Sequence, residues 1–159
     1  MKNLIIIPLL CLSITGFAQT DTSVVRFRNA PPVHPTKSYS HSVEIDLGNA
    51  KMVIISGQVA FDKQGNLIGK DDLSKQTEQV FINIKNIIED AGGTMDNLVK
   101  MGVYMIDVSQ IQLFRDVRDK FISRQKPTST LVQVSKLARE DLLIEIEATA
   151  VIPKIERKK

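Results

Sequence analysis

The sequence predicts an α+β domain, a mixed sheet with two helices on one of its faces, and three observations predict it. Short segments rich in alternating or β-branched apolar residues open the chain, separate its helical stretches and close it. Two stretches instead carry apolar residues at helical spacing. These are Val80, Phe81, Ile84, Ile87, Ile88 and Ala91 in the first, and Ile111, Phe114, Val117, Phe121 and Ile122 in the second. No repeat, low-complexity run or internal linker divides the 159 residues, and one domain of that length buries a substantial core. The implied order is β-β-β-α-β-α-β-β, which packs most simply with both helices on one side of one sheet.

The first eighteen residues are expected to lie outside that domain. A basic start, "MKN", leads into the apolar "LIIIPLLCLSIT" and the small-residue exit "GFAQT". This is the pattern of a secretory signal peptide, with Gly16 and Ala18 at −3 and −1 of a cut after Ala18. The apolar run is too short to span a bilayer and Pro8 interrupts it; an uncleaved anchor is the alternative. Leu10 stands before Cys11, where a lipobox needs a small residue. A chain cut after Ala18 has no cysteine, so it needs no disulfide and does no thiol chemistry. The expectation is an exported, periplasmic protein with no membrane span after cleavage. Its domain covers residues 19–152, and a basic tail covers 153–159.

Within the domain, "SVVRFR" alternates as a first strand, and "NAPPVHPTK" is a proline-rich loop. "SYSHSVEIDL" reads as a second strand and "KMVIISGQV", dense in β-branched residues, as a third. Gly65 in "DKQGN" offers a positive φ for a turn. Asp71 and Asp72 suit the start of the first helix, and Gly92-Gly93 its end. "NLVKMGVYMID" is a fourth strand. Ser109 and Gln112 have capping-box spacing at the head of the second helix, which Pro127 closes. "TSTLVQVS" and "LLIEIEATAVI" are the last two strands. The sheet face away from the helices would carry apolar residues of "VEIDL", "LVQV" and "IEIEA". A partner subunit is the expected cover.

Composition excludes some functions. A net charge of +3, part of it in the terminal "KIERKK", and 5% aromatic residues with no basic stripe argue against a nucleic-acid partner. The chain lacks GxGxxG, P-loop, GxSxG and HExxH patterns, and His34 and His41 have no metal-ligand spacing. No cofactor and no metal site are expected. Glu145 and Glu147 leave one face of the last strand. They make either a solvated face or a general base beside a carboxylate that raises its pKa. With Ile111 at zero on a helical wheel, Phe121 and Phe114 fall near about 280° and 300°, Arg118 near about 340°, and Ile122 and Arg115 near about 20° and 40°. Arg118 inside the apolar stripe either faces a cleft, or snorkels or pairs with a carboxylate such as Glu145.

Several motifs stand in one ordered pattern: "NAP" at 29–31, "YS" at 39–40, "ISGQV" at 55–59, "AGG…LVKMGVYMID" from 91 to 107, and P-x-x-[ST]-x-V-x-V…EIEATA to 150. Over nearly all of the mature chain this resembles the RidA family, also called YjgF, the reactive-intermediate deaminases. The resemblance implies a chorismate-mutase-like fold and a homotrimer with a barrel-like centre and three clefts between subunits. It also implies hydrolysis of enamines and imines released by pyridoxal-phosphate enzymes, without metal or cofactor. In active members an arginine clamps the substrate carboxylate, and a glutamate positions the water that attacks the imine carbon. Tyr39, Ser56, Gly57 and Glu145 match that pocket pattern.

The clamp does not match. Ser129 of "PTST" stands where active members have arginine. A serine offers one donor and no charge in place of a bidentate fork, at a cost in binding of about 1.5–3 kcal/mol. Arg115 stands where the family helix often presents asparagine, and with Arg118 it implies a cationic site moved from strand to helix. The expected function is binding of a small anionic metabolite in intersubunit clefts, with weak or no imine hydrolysis. The alternative is a 2-imino or enamino acid deaminase using Glu145 and a relocated arginine. Export favours the first, because the intermediates that active members clear arise mainly beside cytosolic enzymes.

Overall fold

The computed structural model describes residues 23–154. The expected leader, residues 1–18, and residues 155–159 of the expected tail lie outside them. The described residues form β1 (Val25–Arg28), β2 (Ser42–Asp46), β3 (Ala50–Gln58), α1 (Leu73–Asp90), β4 (Leu98–Met105), α2 (Ile111–Phe121), β5 (Thr128–Gln133) and β6 (Ile144–Pro153). One six-stranded sheet runs β1-β2-β3-β6-β4-β5, and the fold is the α+β architecture expected. Only β4 and β5 are parallel. A parallel neighbour needs a crossover, and α2, between those two strands in sequence, supplies it.

The last strand takes the centre because its alternation is the cleanest in the chain. Ile144, Ile146, Ala148, Ala150 and Ile152 are all buried beneath the helices. Above them α1 lays down Val80, Phe81, Ile84, Ile87 and Ile88, and Phe81 stacks against Phe114 and Phe121 of α2 with ring centroids 6.4 and 5.2 Å apart. Asp72 caps α1 by accepting from the Lys75 N–H at 3.0 Å. Gly92, at φ 81°, ends it, and the Gly93 N–H returns to the Ile88 carbonyl at 2.9 Å.

Two local expectations are corrected. The turn before α2 is capped by Asp107, whose carboxylate accepts from the Ser109 N–H at 2.9 Å. Ser109 itself falls inside a 3₁₀ turn, Val108–Gln110, and Gln112 bonds forward to Asp116. A carboxylate two residues upstream is the better placed acceptor. The second strand begins at Ser42 rather than Ser38, because His41 binds the preceding loop instead. Its N–H donates to Asn29 Oδ1 at 3.0 Å, its Nδ1 accepts from the Ala30 N–H at 3.0 Å, and its Nε2 meets the His34 carbonyl at 2.8 Å. The proline-rich loop is thereby tied to the sheet edge, which sets the position of Tyr39.

The face opposite the helices divides into two halves. Cross-strand rows Phe27–Val43–Ile54 and Val25–Ile45–Met52–Val151 make one half apolar, with Phe27 72% and Ile54 44% exposed. The other half carries Glu145 opposite Tyr104, Glu147 opposite Gly102, and Thr149 opposite Lys100.

Candidate functional site

The site forms where β3 passes the start of β6. The ladder pairs Ile55 with Ala148 and Gln58 with Ile146, so the register shifts across Ser56 and Gly57. A bulge of this kind breaks the pairing and re-aims side chains. Ser56 is held from the other side, its Oγ donating to the Ser40 carbonyl at 2.7 Å and its N–H to the His41 carbonyl at 3.0 Å. Those bonds bring the loop carrying Tyr39 against the bulge. The Glu145 side chain folds back over Gly57, where a Cβ would lie only 1.9 Å from its Oε1. Glycine is needed there because the carboxyl occupies the space a side chain would take.

Tyr39, Ser56, Gly57 and Glu145 thus wall one cleft of about 390 Å³. Val59, Phe61, Ala138 and Leu142 give it an apolar side. Two buried amides on α1 hold its outer walls. Asn83 Nδ2 donates to the carbonyls of Val59 and Phe61 at 3.1 and 3.0 Å. Gln76 Nε2 donates to the Asp141 carbonyl at 2.8 Å, and its Oε1 accepts from the Leu143 N–H at 2.8 Å. Burial, and then the neighbouring Glu147, push the Glu145 carboxyl above the ordinary carboxylate range. Glu147 in turn lies over Gly102 and raises the Tyr104 hydroxyl, first by its charge, then with burial and a hydrogen bond, and with a smaller contribution from Glu145.

The remaining expected residues stand apart within the chain. Arg115 is exposed on α2. Arg118 lies 5.8 Å from the Phe114 ring centroid and donates to Asp119 from Nε and Nη2 at 3.0 and 2.9 Å. Its place in the apolar stripe is therefore occupied by stacking and an ion pair on its own helix. Ser129 is exposed on β5 beside Met101 of β4. The Glu145 row reaches β5 at Val132, so Ser129 lies about 10 Å further along the sheet and about 10 Å across it.

The guanidinium that does line the cleft is Arg139, in the loop before β6. Its Cζ stands 5.0 Å from the Phe61 ring centroid, and it pairs with Asp141, Nε donating to Oδ1 at 2.9 Å and Nη2 to Oδ2. Asp141 raises its already high pKa. Nothing in the sequence marks Arg139, since "AREDLL" carries no spacing signal and its ring partner Phe61 is distant in the chain. Gln76 and Asn83 are likewise unmarked, their partners lying far along the chain. Among the described residues no group of three or more His, Cys, Asp or Glu could hold a metal ion, and no helix is long and apolar enough to cross a membrane.

Known proteins share this sequence pattern and fold over most of the described residues. The family model "Endoribonuclease L-PSP" matches residues 27–152. A RutC family protein of Pyrococcus horikoshii is 37% identical over 128 residues, covering 80% of this chain and 95% of that protein. Among solved structures, RidA from an Antarctic Psychrobacter is similar with a TM-score of 0.68 and 32% identity, over 79% of this chain and 98% of that one. TdcF from E. coli with bound serine is similar with a TM-score of 0.67 and 28% identity, over 79% of this chain and 96% of that one.

Proposed function

The chain belongs to the RidA/YjgF family that the L-PSP model describes, and from that premise we propose that its cleft binds a small organic carboxylate. The observation that carries this is the meeting of Tyr39, Ser56, Gly57 and Glu145 on one cleft with an apolar side. Pockets of this make-up orient a small ligand with a few polar groups and bury its aliphatic part. The serine bound to TdcF, a small carboxylate, supports the same ligand class. Binding is favoured over turnover because Ser129 lacks the bidentate fork that an arginine would bring.

The proposal includes a homotrimer. The open sheet face supports it, since its apolar rows through Phe27 and Ile54 need a cover. In such an assembly a neighbouring copy would bring Ser129 and α2, with Arg115 and Arg118, toward the cleft. Export to the periplasm remains part of the proposal and rests on residues 1–18 alone.

One observation favours a second reading, hydrolysis of 2-imino acids. A carboxyl whose ionisation is disfavoured is the stronger base once ionised. Glu145 would take a proton from water as the oxygen adds to the imine carbon. Returned to the nitrogen, that proton completes the carbinolamine, whose hydroxyl proton would then pass by way of Glu145 to the departing amine, releasing ammonia and the 2-oxo acid.

A coupled assay separates the readings. An amino-acid oxidase generates the imine in the presence of the folded chain, and semicarbazide trapping reports its lifetime. Binding without turnover leaves the spontaneous lifetime unchanged. A shortened lifetime that Glu145→Gln abolishes replaces the first reading with the second.

A further inference from the structure

We infer that Arg139 is the group that holds the ligand's carboxylate in this chain, taking over the work for which Ser129 is unsuited. The inference rests on the cleft being the binding site, and it adds which residue selects the ligand's charge. Asp141 engages Nε and one hydrogen of Nη2. Nη1 and the outer hydrogen of Nη2 are the donors left for a ligand, and two adjacent N–H groups suit two carboxylate oxygens.

The group is also preorganised. Its face lies over Phe61 at 5.0 Å and its edge is held by Asp141, so little side-chain entropy remains to be lost when an anion arrives. Both supports are themselves anchored by α1. Asn83 binds the Phe61 carbonyl at 3.0 Å, and Gln76 binds the Asp141 carbonyl at 2.8 Å. Within one chain Arg115 and Arg118 have no such supports beside the cleft: the first is exposed, and the second is engaged by Asp119 and Phe114.

The lining states the rest of the ligand. Leu142, Val59 and Ala138 share the cleft with Phe61 and leave an apolar wall beside the guanidinium. An unbranched aliphatic carboxylate of a few carbons fits that combination. A second anionic group would share the cleft with the Glu145 carboxyl and be disfavoured. The ligand class is therefore a small aliphatic monocarboxylate, and dicarboxylates are disfavoured.

The test titrates the full chain with 2-oxobutanoate, the ketone counterpart of a four-carbon 2-imino acid, and with its uncharged amide, by calorimetry. Arg139→Gln and Arg139→Lys are compared with the wild type. The Arg139 side chain is 51% exposed, so both variants should fold, as a thermal melt verifies. The expected result is binding of 2-oxobutanoate by the wild type, weakened about tenfold or more by R139Q. R139K should recover part of that loss, and amide binding should be equal in all three proteins. Undiminished 2-oxobutanoate binding by R139Q overturns the inference and leaves the cleft's assignment standing. Failure of the wild type to bind either compound overturns both. An equal loss of oxo acid and amide in R139Q also overturns it, because that is the mark of a residue that only supports the wall.

Discussion

At the scale of single residues the site is governed by where a carboxyl is allowed to rest. Glu145 lies on Gly57 and Glu147 on Gly102, so the two strands that flank β6 each give up a side chain to make room. The position has an energetic signature. The Glu145 pKa is raised in the fold above its ordinary 4.5, chiefly by burial. Between the unfolded and folded values the native state keeps a proton that the unfolded chain has lost. The stability from this group is full below that window and declines as pH rises through it. Glu145→Gln should therefore be more stable than wild type at neutral pH, the advantage vanishing toward about pH 4 in urea titrations. A variant that loses stability at neutral pH would show the carboxylate to be held by favourable contacts instead. That Tyr39, Ser56, Gly57 and Glu145 share one cleft was suggested only by the resemblance of their motifs to a known family. Arg139 was not legible: what places it is a ring on another loop and an aspartate whose backbone α1 holds.

At the scale of elements the decisive piece is α1. Its apolar stripe was legible from periodicity, yet the residues that shape the site are the polar ones on its buried side. Gln76 is fully buried and satisfies Gly69, Asp141 and Leu143 with one amide. Gln76→Leu keeps the volume and strands the Leu143 N–H and the Asp141 carbonyl, at about 1–3 kcal/mol for each buried group left unpaired. Urea denaturation should read that loss, and hydrogen exchange should localise it to 139–143. A loss spread evenly over the sheet would contradict the account. Element order was legible throughout, since it needs only the switch between periods of two and 3.6. The start of β2 was not, because "SYSH" alternates like a strand while His41 spends its hydrogen bonds on Asn29, Ala30 and His34.

At the scale of the whole molecule the open sheet face sets the expectation. Ile54 lies in the middle of its apolar half, between Val43 and Thr149. Ile54→Lys puts a charge where the proposed trimer would be dry, and leaves the helix-facing core untouched. Light scattering after gel filtration should give the wild type about three times the chain mass and the variant the mass of one chain. A wild type of single-chain mass would remove the trimer from the proposal. That this face carries apolar residues was legible from amphipathic strands, but which half of it does so was not. That depends on register, and register is set by the bulge at Ser56–Gly57 and the pairing of β6.

The position of β6 reaches beyond the folded state. It is made last, yet it stands between β3 and β4 and joins the two halves of the sheet. While the ribosome is still at work, β3 lacks its inner neighbour, β4 has only β5 beside it, and α1 lacks the part of its floor that β6 supplies. The two halves of the sheet can therefore join only after the final strand has emerged, through contacts distant in sequence.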